Sequence, residues 1–185
     1  MRSYIIPMQI TKATIADVAE LTQLVNSGYR GEISKKGWTT EAHLLDGIRI
    51  DEMEMIKYFQ DPYITILKYL DNEGEIIGCV YLEIKGVRLY LGMLTVYPLS
   101  QANGIGRQLL HQAEMVAAEL NCKSIYMTVI KSREELIAWY ERRGYKATGE
   151  ILPFHDGTRF GIPKEEIQLA VFEKEVLGLE KTTDR

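Results

Sequence analysis

The stretch from Leu91 to Leu120 constrains this chain more than any other. It opens as an apolar run, Leu91-Gly92-Met93-Leu94-Thr95-Val96, and passes through Tyr97-Pro98-Leu99-Ser100 to Gln101-Ala102-Asn103-Gly104-Ile105-Gly106. Apolar residues then recur at helical spacing, Leu109, Leu110, Ala113, Val116, Ala117 and Leu120. A short apolar run followed by a period near 3.6 predicts strand, tight turn and helix in immediate succession, the helix starting at or just before Gly104. The first N–H groups of a helix have no internal partner and lie at the positive end of its dipole, and Gly104 and Gly106 leave them uncovered. Such a turn invites an anion, most often phosphate. No Gly-Lys-Ser/Thr follows, which excludes a P-loop, and Leu109 stands where a dinucleotide fingerprint has its third glycine.

With 185 residues and 46% hydrophobic content, one substantial core is expected in a single domain over residues 1–185, its core at about 8–174 and a tail at 175–185. The N-terminal Met1-Arg2-Ser3-Tyr4-Ile5-Ile6-Pro7 lacks a long apolar region, and no apolar run approaches membrane-spanning length. A cytoplasmic protein with no membrane partner is expected. Cys79 and Cys122 have neither metal nor disulfide spacing, and His43 and His111 lack a ligand pattern, so no metal is expected. The net charge of −4 with interspersed signs excludes the basic stripe of a general nucleic-acid binder.

Taken in order, Met8 to Lys12 reads as a strand, and Thr14-Ile15-Ala16-Asp17 as a capping box. Val18, Leu21, Leu24 and Val25 mark one helical face to about Asn26. Gly28 to Gly37 is too glycine-rich and polar for a core element and reads as a loop. Trp38-Thr39-Thr40-Glu41 predicts the cap of a short helix reaching Asp46, and Asp51 caps another carrying Met55, Ile56 and Phe59 that ends at Asp61-Pro62. Tyr63 to Tyr69, Glu75 to Ile84 and Arg88 to Val96 form a three-strand meander leading into the glycine turn. Ser124 to Val129 is a further strand. Ser132-Arg133-Glu134-Glu135 has capping-box spacing and opens a helix through Leu136, Ile137, Trp139 and Tyr140 that stops at Gly144. Tyr145 to Ile151 and Ile167 to Lys174 are the last strands, with a long loop between them.

That element order, the Gln-x-x-Gly-x-Gly of Gln101 to Gly106, and Trp139-Tyr140-Glu141-Arg142-Arg143-Gly144-Tyr145, an aromatic-Tyr-x-x-x-Gly-aromatic run, together resemble the GNAT superfamily of N-acetyltransferases from about Met8 to Lys174. The resemblance implies an α/β (α+β) fold, a central mixed, mostly antiparallel sheet flanked by helices. It also implies a transferase that moves an acetyl group from acetyl-CoA to a primary amine by direct attack in a ternary complex, without a covalent enzyme intermediate.

Under that resemblance, backbone groups of Leu94, Thr95 and Val96 would pair with the pantetheine arm, and an N–H there would polarise the thioester oxygen. Gln101, Ala102, Asn103, Gly104, Ile105, Gly106 and Arg107 would hold the pyrophosphate. Tyr140 would lie beside the cofactor as the general acid, since a phenol with an ordinary pKa of about 10 is protonated at neutral pH. Arg133 stands seven residues before it, where many members of the family have Asn, and is assigned to the cofactor as well. Arg88 to Val96 contains no carboxylate or histidine, so Glu83 is the nearest acidic candidate to accept the amine's proton, with a water relay as the alternative. On its strand face Ile77, Cys79 and Tyr81 offer a partly apolar setting that would raise its pKa.

Acceptor selection falls to two variable segments. By the resemblance, Gly37-Trp38-Thr39-Thr40-Glu41 forms one wall, with Trp38 and Glu41 its candidate residues, and the loop Leu152 to Glu166 forms the other, with Phe154, His155, Asp156, Arg159 and Phe160. There Arg159 is the candidate for a substrate carboxylate. A small polyamine, an amino acid, an antibiotic-like amine and a protein N-terminus or lysine all remain open as small-molecule or peptidyl acceptors, and the acidic overall charge leans towards a cation. A homodimer is an expectation drawn from the family. The rival class is a non-catalytic acyl-CoA-binding sensor or partner module on the same fold.

Overall fold

The computed structural model describes residues 9–154 and 159–176. In chain order the elements are β1 (Ile10–Lys12), α1 (Val18–Tyr29), α2 (Gly31–Ser34), β2 (Leu45–Asp46), α3 (Glu52–Gln60), β3 (Ile64–Leu70), β4 (Ile76–Lys85) and β5 (Arg88–Val96). There follow α4 (Ile105–Glu119), β6 (Ser124–Ile130), α5 (Glu134–Glu141), β7 (Lys146–Pro153), β8 (Ile162–Pro163) and β9 (Gln168–Glu175). Seven strands form one sheet in the order β1-β3-β4-β5-β6-β9-β7, and β2 pairs with β8 separately. Within the large sheet only β5 and β6 run parallel. The mixed, mostly antiparallel sheet flanked by helices is therefore as expected.

Local chemistry explains where the helices start. The Thr14 N–H donates to Asp17 Oδ2 at 2.7 Å, boxing the 3-10 turn Ile15–Asp17 that leads into α1, and Asp51 Oδ1 accepts from the Glu54 N–H at 2.8 Å at the head of α3. Leu21, Val25 and Met55 from α1 and α3 pack with Ile66, Cys79, Tyr81 and Met93 on one side of the sheet. On the other, Leu109, Leu110, Ala113 and Ala117 of α4 pack with Val80, Leu82, Leu89, Leu91, Ile125 and Met127. Each fully buried Leu there contributes ~1.5–3 kcal/mol.

Several expectations are corrected. Helix α1 runs on to Tyr29, and α2 occupies part of the predicted loop, because Gly28 serves close packing: a Cβ there would lie 2.5 Å from Thr95 Cγ2. The predicted Trp38 to Asp46 helix does not form. Its Thr40 hydroxyl instead accepts from the Ala42 N–H at 3.1 Å and meets the Ser34 hydroxyl at 2.7 Å, and the segment ends as β2, with Leu45 opposite Pro163 and Asp46 opposite Ile162. At α5 the N-cap is Arg133 without a side-chain cap, and Glu135 is drawn to the Thr39 hydroxyl at 2.9 Å. Leu120 lies past the last turn of α4 and is exposed. In the predicted loop from Leu152 to Glu166, β7 takes Leu152 and Pro153 and β8 interrupts the remainder. His155, Asp156, the tail beyond Val176 and the first eight residues lie outside the described residues. Among the described residues, no helix is long and apolar enough to cross a membrane.

Candidate active site

The parallel pair β5 and β6 is joined only where Arg88, Leu89 and Tyr90 face Ser124, Ile125 and Tyr126, and beyond Tyr90 the two strands part. In the same region β5 bulges against β4: Tyr81 faces Gly92 and Cys79 faces Thr95, so Met93 and Leu94 oppose Val80 alone. Met93 takes φ +48, a left-handed conformation that costs a non-glycine residue ~1–2 kcal/mol. Bulges and such strain recur where a strand edge is re-aimed at a ligand. The parted strands open a cleft of about 560 Å³, within the span of roughly 300–1,000 Å³ usual for ligand pockets.

Leu94, Thr95 and Val96 form one edge of this cleft, and the turn from Gln101 to Arg107 forms its end. Gly104 is the N-cap of α4 at φ +79, so the first N–H groups of the helix follow a backbone geometry that suits glycine. Gln101 fastens the turn on both sides. Its Nε2 donates to the Val96 carbonyl at 3.1 Å, and its Oε1 accepts from the Trp38 N–H at 2.9 Å. Arg107, Arg133 and Arg143 line the cleft, and among the described residues no carboxylate lines it. Arg143 lies over the Trp139 ring at 3.6 Å, and its pKa is lowered by burial first and then by repulsion from Arg142 and Arg107. Arg107 and Arg143 have no carboxylate partner among the described residues, and cations so placed beside a helix N-terminus favour a polyanion.

At the other end of the cleft stand two phenols. Tyr140 is only 5% exposed, and burial, followed by the neighbouring Tyr29, raises its pKa well above that of an ordinary phenol. It lines the cleft, and its hydroxyl makes no hydrogen bond to the described residues. Tyr29 donates to the Leu94 carbonyl at 3.2 Å, and burial followed by the Glu41 charge pushes its pKa up to about 12. Between these groups and the protein interior lies a buried ionic network. Arg133 Nη1 donates to Glu41 Oε1 at 2.9 Å and Nη2 to Thr39 Oγ1 at 2.5 Å, while Arg30 Nη1 donates to Glu41 Oε2 at 2.6 Å. Glu41, assigned from sequence to the acceptor wall, thus has each carboxylate oxygen engaged by a buried arginine.

Trp38 does line the cleft. Glu83 and Arg159 do not. Glu83 sits opposite Ile64 and Tyr90, towards the far end of β4; its Oε2 accepts from the Tyr81 hydroxyl at 2.9 Å and its Oε1 pairs with Lys85. These polar partners replace the partly apolar setting expected there. Arg159 donates to Asp51 Oδ2 at 2.8 Å and lies over the Phe160 ring at 4.7 Å. Cys79 is buried, which pushes its thiol up to about 12, so it supplies no thiolate nucleophile. Among the described residues no His, Cys, Asp and Glu group is arranged to hold a metal. Sequence reasoning missed Tyr29, Arg30 and Arg143, while Thr39, in the segment expected to form an acceptor wall, lines the cleft. Gly28, a glycine inside a helix, was the available sign that Tyr29 approaches the strand edge.

Comparison with known proteins follows the same lines. The family model described as "Acetyltransferase (GNAT) family" matches residues 21–145. An uncharacterized protein of Bacillus subtilis, YdhI, is 31% identical over 77 residues, 42% of this chain and 47% of that protein. The match spans about half the length of that curated relative. Among solved structures, the ribosomal-protein-S18-alanine N-acetyltransferase of Escherichia coli superposes with a TM-score of 0.68 at 14% identity, over 95% of this chain and 98% of that one. A phosphinothricin acetyltransferase from Sinorhizobium meliloti, solved in complex with AcCoA, gives 0.67 at 17% identity, over 96% and 93%. At such identities the likeness is one of fold.

Proposed function

The chain belongs to the acetyltransferase (GNAT) family, and from that premise we propose that it moves an acetyl group from acetyl-CoA to a primary amine by direct attack in a ternary complex. The observation that best supports this reading is the parting of β5 and β6 beside the head of α4. It sets an open strand edge, a glycine turn at a helix head and a buried phenol along one cleft. Leu94, Thr95 and Val96 are assigned to the pantetheine amides, which would pair with them as an added strand does. An N–H of the same bulged segment is assigned to the thioester oxygen. Ala102, Asn103, Gly104, Ile105, Gly106 and Arg107 are assigned to the pyrophosphate, with Gln101 holding the turn in place, Arg143 adding charge, and Arg133 serving the arm of the cofactor.

Acetyl-CoA supplies the activated acyl group. The amine nitrogen forms the new C–N bond as the C–S bond breaks, Tyr140 gives its phenolic proton to the departing thiolate, and the amine's proton leaves to water. Tyr140 then regains a proton from solvent. Water is preferred to Glu83 as the acceptor because Glu83 lies outside the cleft lining and already pairs with Lys85.

Thiol release from acetyl-CoA, followed across a panel of amines, tests this function. Acceptor-dependent release is expected; tight binding with no release on a broad panel would mark a non-catalytic binding module instead. A second result is expected from Gly106→Ala. A Cβ there would meet Val96 Cγ2 at 3.7 Å and Trp139 Cζ2 at 3.8 Å, ordinary contacts that leave the fold intact. The methyl group would cover the phosphate donors, so calorimetry should show the Kd for CoA rising about tenfold, ~1.4 kcal/mol, with the thermal midpoint held or raised by the better helix former.

A further inference from the structure

Around Tyr29 and Arg133, which line the cleft, arginines outnumber the carboxylates that pair with them among the described residues. Arg30 and Arg133 are 6% and 5% exposed and share Glu41. Glu135 approaches Arg133 Nε at 3.8 Å, but its side chain is nearly half exposed. Arg49 has no ion pair among the described residues. It is half-buried, with its guanidinium 5.6 Å from the centroid of the Tyr29 ring. Its backbone is fixed there, because the Arg49 N–H donates to Asn26 Oδ1 at 2.7 Å. Tyr29 lines the cleft and reaches the Leu94 carbonyl, so Arg49 stands one aromatic ring away from the reacting edge. Arg159, the arginine singled out from sequence, is by contrast already held by Asp51 at 2.8 Å, with Glu54 at 3.8 Å.

A half-buried cation with an aromatic ring but no carboxylate beside it among the described residues favours an anion that reaches it, and a guanidinium offers a carboxylate a planar, two-pronged donor. We infer that the acceptor amine carries a carboxylate, which Arg49 binds while the amine lies at the Leu94 edge of the cleft. The inference rests on the acetyl-transfer reading above. The chain-wide charge of −4 points towards a cationic acceptor, but charges separated by more than about 10 Å are largely screened in ordinary salt. The local excess of Arg30, Arg49 and Arg133 over Glu41 and Glu135 therefore outweighs it.

Amines offered in pairs test this: glycine, β-alanine and γ-aminobutyrate, each against its own carboxamide, with putrescine as a dicationic acceptor. Thiol release from acetyl-CoA is compared as kcat/KM per neutral amine. The carboxylate member of at least one pair is expected to exceed its carboxamide by about tenfold or more, the scale of a charge-assisted hydrogen bond. Arg49→Gln should erase that preference through KM while acetyl-CoA still binds, Arg49→Lys should keep part of it, and Arg159→Gln should leave it intact. Equal or better use of the carboxamides or of putrescine by the unmodified protein overturns the inference, as does a preference that survives Arg49→Gln. Transfer that ignores the carboxylate sinks this inference alone. Failure of every amine to promote thiol release sinks the acetyl-transfer reading, and this inference with it.

Discussion

Tyr140→Phe is expected to lower kcat by about 10²–10⁴-fold, the usual contribution of a positioned general acid, with the Kd for acetyl-CoA nearly unchanged. The substitution is clean for a structural reason. The ring of Tyr140 meets Trp139 edge-on at 5.0 Å and Tyr145 at 5.8 Å, and phenylalanine keeps both contacts. The lost hydroxyl has no hydrogen-bond partner among the described residues, so no buried group is orphaned and stability should stay within about 0.5 kcal/mol. A fall in turnover would then belong to the chemistry. Because burial raises the Tyr140 pKa above its ordinary value of about 10, the phenol stays protonated through the alkaline range. The unmodified enzyme should therefore show no loss of kcat from this group as pH rises to about 10, and only ionisation of the acceptor amine should shape that limb. Equal turnover in the two proteins would remove Tyr140 from the mechanism and leave solvent to protonate the thiolate.

What the sequence made legible was local. The glycine turn, α4 and the meander could be read because their signals lie within a few residues: the 3.6 period after Ile105, the apolar run that becomes β5, and the capping signals at Thr14 to Asp17 and at Asp51. The candidate cleft was legible along Leu94 to Arg107 for the same reason. Its other side was not, because contacts between distant segments build it. Glu41 meets Arg133 across 92 positions, and nothing near either residue announces the pairing. The Trp38 to Asp46 segment has good helix signals, yet pairing of Leu45 and Asp46 with β8 overrides them. Glu83 and Arg159 had the right chemistry for their assigned roles, and ions from neighbouring residues, Lys85 and Asp51, claim them instead. Arg49 became visible only when folding placed it over Tyr29, with no carboxylate paired to it among the described residues.

The largest expected effect on stability comes from Glu41→Ala. Glu41 is 8% exposed and holds two guanidinium groups that are buried still more deeply, so its removal leaves both charges without their shared counter-ion. Breaking a buried pair in this way costs about 3–5 kcal/mol, a large share of the roughly 5–15 kcal/mol that holds a domain together. Urea denaturation should show the midpoint falling with the slope unchanged. The loss spreads beyond one site, because the network ties Arg30 just past α1 and Arg133 at the head of α5 to the Thr39 to Glu41 segment that crosses the cleft. Desolvation makes the penalty depend on the charges left behind rather than on the pair alone. Adding Arg30→Met and Arg133→Met to Glu41→Ala should therefore restore much of the midpoint, because an apolar cluster of similar volume pays no ionic desolvation. The triple variant should still bind less cofactor and turn over slowly, as it lacks the guanidinium assigned to the cofactor arm. A cost for Glu41→Ala below about 0.5 kcal/mol, the range of ordinary surface substitutions, would show that water reaches the network and that its charges need no partner from the protein.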